Sequence, residues 1–352
     1  MKLIHTADLH LDSVLAANLP PDLAAVRRRE LLLTFSGMVN YAAEAGASVF
    51  LIAGDLFDTS HPSPEAEAYV LSVIASHPGI DFLVLAGNHG EEYAPLNPPP
   101  NYHTFSEREF TSYTYGNVVI AGSESNAAFG YLPPMRLEDL NIVMLHGALT
   151  DSTSDLTGIN LKFYQNRGID YLALGHYHAY RKEALDARGV YCYCGTPEGR
   201  GFDETGEKGF VLLDTDGGKL SSVFIPFARR RIHQITVDIS RLFSQRDIER
   251  AVLAALTGIP KDDMVRVTLR GYAEPDMHKD AGQIASLIDG KFFFSCVEDE
   301  SNLSLRPETF EHDVSLRGEF VRMVMRSGLP RADQERIIQC GLRALDGEEI
   351  LE

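Results

Sequence analysis

Ser48-Val49-Phe50-Leu51-Ile52-Ala53-Gly54-Asp55-Leu56-Phe57-Asp58 sets the reading of the whole chain. A short apolar, partly β-branched run stops at a glycine, and two carboxylates follow at once. A run of this length bounded by glycine is a buried strand. The glycine permits a tight exit from it, and Asp55 stands where its two oxygens could serve two cations. By themselves these residues would equally describe a polar loop capping the next helix.

The pattern recurs in both directions. Lys2 to Ala7 leads into Asp8-Leu9-His10, and Asp81 to Ala86 leads into Gly87-Asn88-His89. Further on, Asn141 to Leu145 leads into His146-Gly147, and Asp170 to Leu174 into Gly175-His176-Tyr177-His178. Asn117 to Ala121 is another strand candidate, without such an ending. Carboxylate, amide and imidazole are the donors that hard or borderline divalent metals take, and open α/β sheets gather ligand sites at strand carboxyl ends. A single histidine there is an ordinary loop residue. Several such endings in one chain point to a metal centre.

Helices fill the intervals. One is expected after Pro20-Pro21, with Leu23, Val26, Leu33, Met38 and Ala42 at helical spacing, and another after Ser63-Pro64. The first half therefore reads as α/β, built around a largely buried sheet. From Gly189 to Phe227 the texture changes to alternating strands with glycine turns, which predicts a second sheet completing the first domain. After Arg231 the order is strand (Ile232 to Ile239), helix (Gln245 to Leu256), strand (Met264 to Leu269), helix (near Ala281 to Ile288) and strand (Lys291 to Cys296), a small α+β module. Two helical patterns, Val314 to Arg326 and Arg331 to Leu345, are split by Gly328-Leu329-Pro330. The expected division is 1–230, 231–301 and 302–352.

Composition bounds the function. The chain has 352 residues, 44% hydrophobic and 23% charged, enough for two or three domains. Its net charge of −18 runs against a protein that grips DNA unaided, since phosphates call for a basic face. The runs Arg27-Arg28-Arg29 and Arg229-Arg230-Arg231 read either as local phosphate contacts or as solvated surface. Cys192, Cys194, Cys296 and Cys340 form no paired motif and read as reduced core thiols. With neither a signal-peptide core nor a long apolar span, a soluble cytoplasmic protein without membrane contact is expected.

Taken together, D-x-H, G-D-x-x-D, G-N-H, a later H-G and a closing G-H-x-H resemble the signature of calcineurin-like metallophosphoesterases, over Asp8 to His178. The resemblance implies a two-sheet α/β sandwich flanked by helices, with a small α+β capping domain and C-terminal helices. It implies that Asp8, His10, Asp55 and His178 hold one divalent ion, and that Asp55, Asn88, His146 and His176 hold a second. The resemblance favours manganese, although the donor set suits iron and zinc as well. His89 would be the catalytic acid in phosphodiester hydrolysis by a hydroxide that the two ions activate.

Within the superfamily, His5 to Ser13, Ala53 to Asp58 and Gly195 to Gly209 are similar to the SbcD group of DNA repair nucleases and its YhaO-like branch. Glycines in the last stretch are equally explained by plain turns. This likeness implies DNA and an SbcC-type coiled-coil ATPase as partners, and leaves a homodimer open. The apolar stripe Ile337, Ile338, Gly341, Leu342 and Leu345 would dock the ATPase or pack back on its own domain. Departures from the family pattern are Gly90-Glu91-Glu92, where relatives place aspartate after the asparagine-histidine pair, the stiff Asn97-Pro98-Pro99-Pro100-Asn101, and His61, where relatives often carry arginine. Three functions fit: a DNA exo- or endonuclease subunit, a phosphodiesterase or phosphatase for small nucleotides or phosphoproteins, and a non-catalytic scaffold of the same fold. Intact ligand positions and His89 weigh against the scaffold.

Overall fold

The computed structural model describes residues 1–15, 19–89, 93–126, 132–152, 155, 157–273, 277, 279–303 and 310–345. The chain divides into two compact units, Met1–Ile232 and His233–Glu352. The first begins with β1 (Lys2–Thr6), α1 (Pro21–Ala45), β2 (Ala47–Ala53), α2 (Pro64–Ala75), β3 (Asp81–Leu85) and β4 (Tyr102–Thr104). It continues with β5 (Thr111–Tyr115), β6 (Val118–Gly122), β7 (Leu140–His146), β8 (Tyr171–Gly175), β9 (Arg181–Ala184), β10 (Val190–Tyr193), β11 (Gly209–Asp214) and β12 (Ser221–Pro226).

These strands form two six-stranded sheets, ordered β12-β11-β1-β2-β3-β4 and β5-β6-β7-β8-β10-β9. The pairs from β1 to β4 are parallel, as are those joining β6, β7, β8 and β10. Antiparallel pairs finish the other edges, β11 and β12 in the first sheet and β5 and β9 in the second. This is the mixed α/β, two-sheet architecture with helices.

Two details differ from the reading of the sequence. The strands before residue 176 do not share one sheet: β1, β2 and β3 lie in one, and β6, β7 and β8 in the other. Nor does Gly189 to Phe227 build a second sheet of its own. β10 joins β8, whereas β11 and β12 extend the sheet of β1. Alternation along the chain shows which side of a strand is apolar, but not which partner covers it.

Both faces of the central strands are buried, which explains their continuous apolar runs. Ile142 and Met144 of β7, with Tyr171 and Ala173 of β8, enter the core shared with Leu3, Val49, Leu51 and Leu83. Their neighbours Val143, Leu145, Leu172 and Leu174 point to a second cluster with Ile159 and Tyr164. This is the two-residue period of a strand, used on both sides.

In α1 the buried face is rotated from the expected one, with Ala24, Arg27, Leu31, Phe35, Met38 and Ala42 inside, while Val26 is 44% exposed. Arg27 is therefore no phosphate contact. It lies inside, with Nη2 donating to Glu198 Oε2 (2.9 Å) and to the Gly199 carbonyl (2.8 Å). Glu198 also accepts from Thr34 Oγ1 (2.8 Å) and the Arg229 N–H (2.6 Å). In the other run, Arg230 pairs with Glu30 and Arg231 with Glu207. A buried guanidinium is tolerated only when paired in this way.

The second unit holds β13 (Ile232–Asp238), α3 (Gln245–Ala255), β14 (Met264–Arg270), β15 (Tyr272–Ala273), α4 (Ala281–Ile288), β16 (Phe294–Asp299) and β17 (Asn302–Leu303). β13, β14 and β16 make a three-stranded sheet over a core of Ile248, Val252, Val265, Val267, Ile284 and Ile288. The last main strand starts later than Lys291 because Ile288 closes α4 and Gly290 turns the chain at φ 68°. α5 (Leu316–Met325) and α6 (Arg331–Leu345) follow. Ile338 and Leu342 pack with Phe310, Val321 and Val324, so the stripe expected on α6 is split: Ile337 and Leu345 remain outside. All four cysteines are free, and Cys192 and Cys194 are buried. Among the described residues no helix is long and apolar enough to cross a membrane.

Candidate metal centre

Parallel pairing carries the ends of β1, β2, β3, β7 and β8 to one edge of the sandwich, where main-chain bonds join the loops. The Asp8 N–H donates to Gly54 O (3.0 Å), His10 N–H to Asp55 O (3.0 Å) and Asp55 N–H to Ala86 O (3.1 Å). The His176 N–H reaches the Asp8 carboxylate at 2.9 Å. Asp8, His10, Asp55 and His176 hold φ values of 51°, 44°, 52° and 110°. Such conformations cost on the order of 1–3 kcal/mol each for residues with a side chain, and persist where the surroundings impose them. Gly54, at φ 97°, has no room for a side chain: a Cβ there would lie 2.0 Å from His146 Nδ1.

All the residues singled out from the strand ends converge. Asp8, His10 and His178 present ligand atoms within 4.8 Å of one another, and so do Asp8, Asp55 and His146. Asp55 Oδ2 lies 3.4 Å from His146 Nε2 and 3.8 Å from His10 Nε2. Asn88 Oδ1 lies 2.8 Å from His146 Nε2 and 3.2 Å from His176 Nδ1. His89 stands beside them, its ring 4.9 Å from that of His10. Its side chain is 45% exposed, and its N–H donates to Asp55 Oδ1 at 2.9 Å.

The donor set can be tested against a cation through its protons. His146 Nδ1 donates to the Ala53 carbonyl (2.9 Å), which leaves the Nε2 lone pair facing Asn88 and Asp55. His178 Nδ1 faces Glu204 Oε1 at 2.7 Å. His10 Nδ1 lies 2.8 Å from Asp58 Oδ1, although out of line for a hydrogen bond. With carboxylates behind both rings, His10 Nε2 and His178 Nε2 oppose each other at 3.2 Å. Two lone pairs at that distance repel unless a proton or a cation lies between them. Aspartates on both sides make a divalent cation a good fit.

Three residues behind the ligands escaped the reading of the sequence as site residues. Arg200 bridges Asp58 Oδ1 (3.0 Å) and Glu204 Oε1 (2.9 Å), so the carboxylates behind His10 and His178 share one guanidinium. Burial alone would raise the Glu204 carboxyl, yet His178 and Arg200 hold it at about 2. Burial likewise acts against Asp58, but His10, Ser13 and Arg200 hold it at about 2. Both stay ionised near neutral pH and keep the imidazole protons on the Nδ1 side. The available signal was the Gly195 to Gly209 segment, which turn chemistry had explained as well. Glu204→Gln is expected to weaken metal binding about 10- to 100-fold, measured by equilibrium dialysis against manganese, with little change in circular dichroism.

Of the departures from the family pattern, Gly90-Glu91-Glu92 lies outside the described residues. His61 is exposed and bonds locally, to Ser60 Oγ (3.0 Å) and through its N–H to Thr59 Oγ1 (3.1 Å). Pro98 lines a cavity beside the site.

The model of the calcineurin-like phosphoesterase family matches residues 1–198; with its fold and its edge of aspartates and histidines, the chain belongs to that family. It is similar to YhaO of Bacillus subtilis, described as an uncharacterized metallophosphoesterase, at 29% identity over 306 residues, 77% of this chain and 72% of the relative. The DNA double-strand break repair protein Mre11 of Methanopyrus kandleri is 27% identical over 320 residues, 78% of this chain and 69% of that one. Among solved structures, TT1561 of Thermus thermophilus covers 63% of this chain and 98% of its own, with a TM-score of 0.41 and 13% identity.

Proposed function

We propose that the protein is a two-metal phosphodiester hydrolase acting on DNA, the nuclease subunit of a repair complex with an SbcC-type coiled-coil ATPase. Asp8, His10, Asp55 and His178 would hold one divalent ion, and Asp55, Asn88, His146 and His176 the other. The carrying observation is the set of imidazole nitrogens turned inward around Asp8 and Asp55, with the outer nitrogens of His146 and His178 engaged by Ala53 and Glu204 and that of His10 beside Asp58. Once bound, the ions, manganese by family likeness, supply an activated water and a charge clamp for phosphoryl oxygens. His89 is left outside that set, partly exposed and oriented through its main-chain bond to Asp55, in position to protonate a leaving oxygen.

DNA as substrate is supported by the name of the Mre11 relative and by the segments similar to the SbcD group. The partner is supported by exposed Leu316, Met323 and Ile337 on α5 and α6. A phosphodiesterase for small nucleotides is the second reading, favoured by the net charge of −18 and by the pairing of Arg27, Arg230 and Arg231 with carboxylates.

The deciding experiment compares manganese-dependent cleavage of linear double-stranded DNA, single-stranded DNA and bis(p-nitrophenyl) phosphate, with and without the ATPase partner. Cleavage of DNA is the expected result. Turnover of the small diester with DNA left intact, even with the partner present, would replace the first reading by the second.

A further inference from the structure

Two cavities open beside the candidate metal centre. The larger, about 820 Å³, runs from Asn88, His146 and His176 past Asn126, Asp155 and Thr157. The smaller, about 330 Å³, is walled by Phe57, Tyr93, Tyr102 and Phe105 together with Pro95 and Pro98. They meet at Ala86, Glu107 and Glu124, which line both.

Among the described residues no lysine or arginine lines either cavity. A phosphate placed in the smaller one would face Glu107 and Glu124 with no counter-charge. Its occupant is therefore no anion and offers N–H or O–H donors to carboxylates. Its walls are aromatic and aliphatic, which favours a planar ring, and about 330 Å³ lies within the range of small-molecule sites.

Glu124 stands at the junction of the two cavities. Its Oε2 accepts the Ala86 N–H at 2.9 Å, so the carboxylate is oriented from behind. Oε1 accepts from none of the described residues and is available to a ligand. Burial pushes this carboxyl up to about 7, which reflects how little polar surrounding it has.

We infer that the smaller cavity receives the purine base of a nucleotide whose phosphate lies at the metal centre, and that Glu124 selects it by accepting from an exocyclic amine. The inference rests on the phosphodiester reading for the placement of the phosphate. The base pocket itself can be tested with ligands that contain no phosphorus. Aromatic walls would stack the ring without regard to sequence, while the carboxylate discriminates an amine donor from a carbonyl acceptor at the same ring position.

Equilibrium dialysis of the full chain against radiolabelled adenosine and inosine provides the test, run at about pH 8.5 so that Glu124 is the acceptor carboxylate. These nucleosides have similar size and differ at C6, amine against carbonyl, and at N1, which carries a proton only in inosine, so a carboxylate facing the C6 substituent meets a donor only in adenosine. Adenosine is expected to bind about tenfold more tightly. In Glu124→Gln the amide oxygen can keep the Ala86 bond and turn its NH2 into the cavity, so the preference should invert toward inosine. Thr104→Trp, at an exposed position in the wall, should lower the affinity for both. Equal binding of the two nucleosides, no binding, or a preference for adenosine that survives Glu124→Gln would overturn the inference. A protein that hydrolyses bis(p-nitrophenyl) phosphate but fails this test keeps the phosphodiester reading and loses the pocket. One that passes it and hydrolyses nothing does the reverse.

Discussion

Substitution of His89 by alanine is expected to lower kcat for DNA by about 10²- to 10⁴-fold, while bound metal measured by mass spectrometry stays at the wild-type level. The ring is partly exposed, packs edge-on against His10 and makes only long polar contacts, Nδ1 to the Asp58 carbonyl at 3.4 Å and to Asp58 Oδ1 at 3.8 Å. Its removal should therefore disturb neither the fold nor the inward-facing donors. The loss should also depend on the leaving group. A sugar alkoxide needs a proton as the bond to phosphorus breaks, whereas p-nitrophenolate leaves well without one, so bis(p-nitrophenyl) phosphate should suffer much less. His89 also lies in a group with His10 and Asp58 that could hold a cation. A parallel loss of metal and activity would make it a ligand and end its proposed role as an acid.

Asp55→Asn should have the broadest effect, taking bound metal to roughly half the wild-type content or below and activity to background. Asp55 is 2% exposed, with Oδ2 directed at His146 and His10 and Oδ1 engaged by the His89 N–H. Asparagine has the same shape and can keep the bond from His89, so circular dichroism and gel filtration should not change. What it loses is the charge that would oppose two cations, and its NH2 would face the imidazole nitrogens instead. Full metal content in this variant would rule out a shared ligand at residue 55 and require a different division of the donors.

The legibility of the site was uneven, and particular residues show why. Asp8, His10, Asp55, Asn88, His146, His176 and His178 were accessible because each ends a recognisable apolar run. A strand's carboxyl end is a local property, written in consecutive residues. Glu204 was not accessible in that way. It sits among glycines that turns explain equally well, and it matters only because residue 178 lies 2.7 Å away in space. Arg27 misled for a related reason. A run of three arginines describes charge but not facing, and the rotation of α1 that buries Arg27 depends on Glu198, 171 positions later.

The sequence by itself determined the donor types, their order along the chain and their place at the ends of strands, because these follow from short-range patterns of apolarity, glycine and polar residues. It did not determine that β1, β2 and β3 stand in one sheet and β7 and β8 in the other. Nor did it determine that His10 and His178, 168 residues apart, would meet nitrogen to nitrogen at 3.2 Å. Those facts belong to the tertiary structure. Which strand neighbours which is decided by the joint burial of faces from distant segments. Only after that packing do Asp58, Arg200 and Glu204 come to stand behind the imidazoles and hold their lone pairs toward a shared centre.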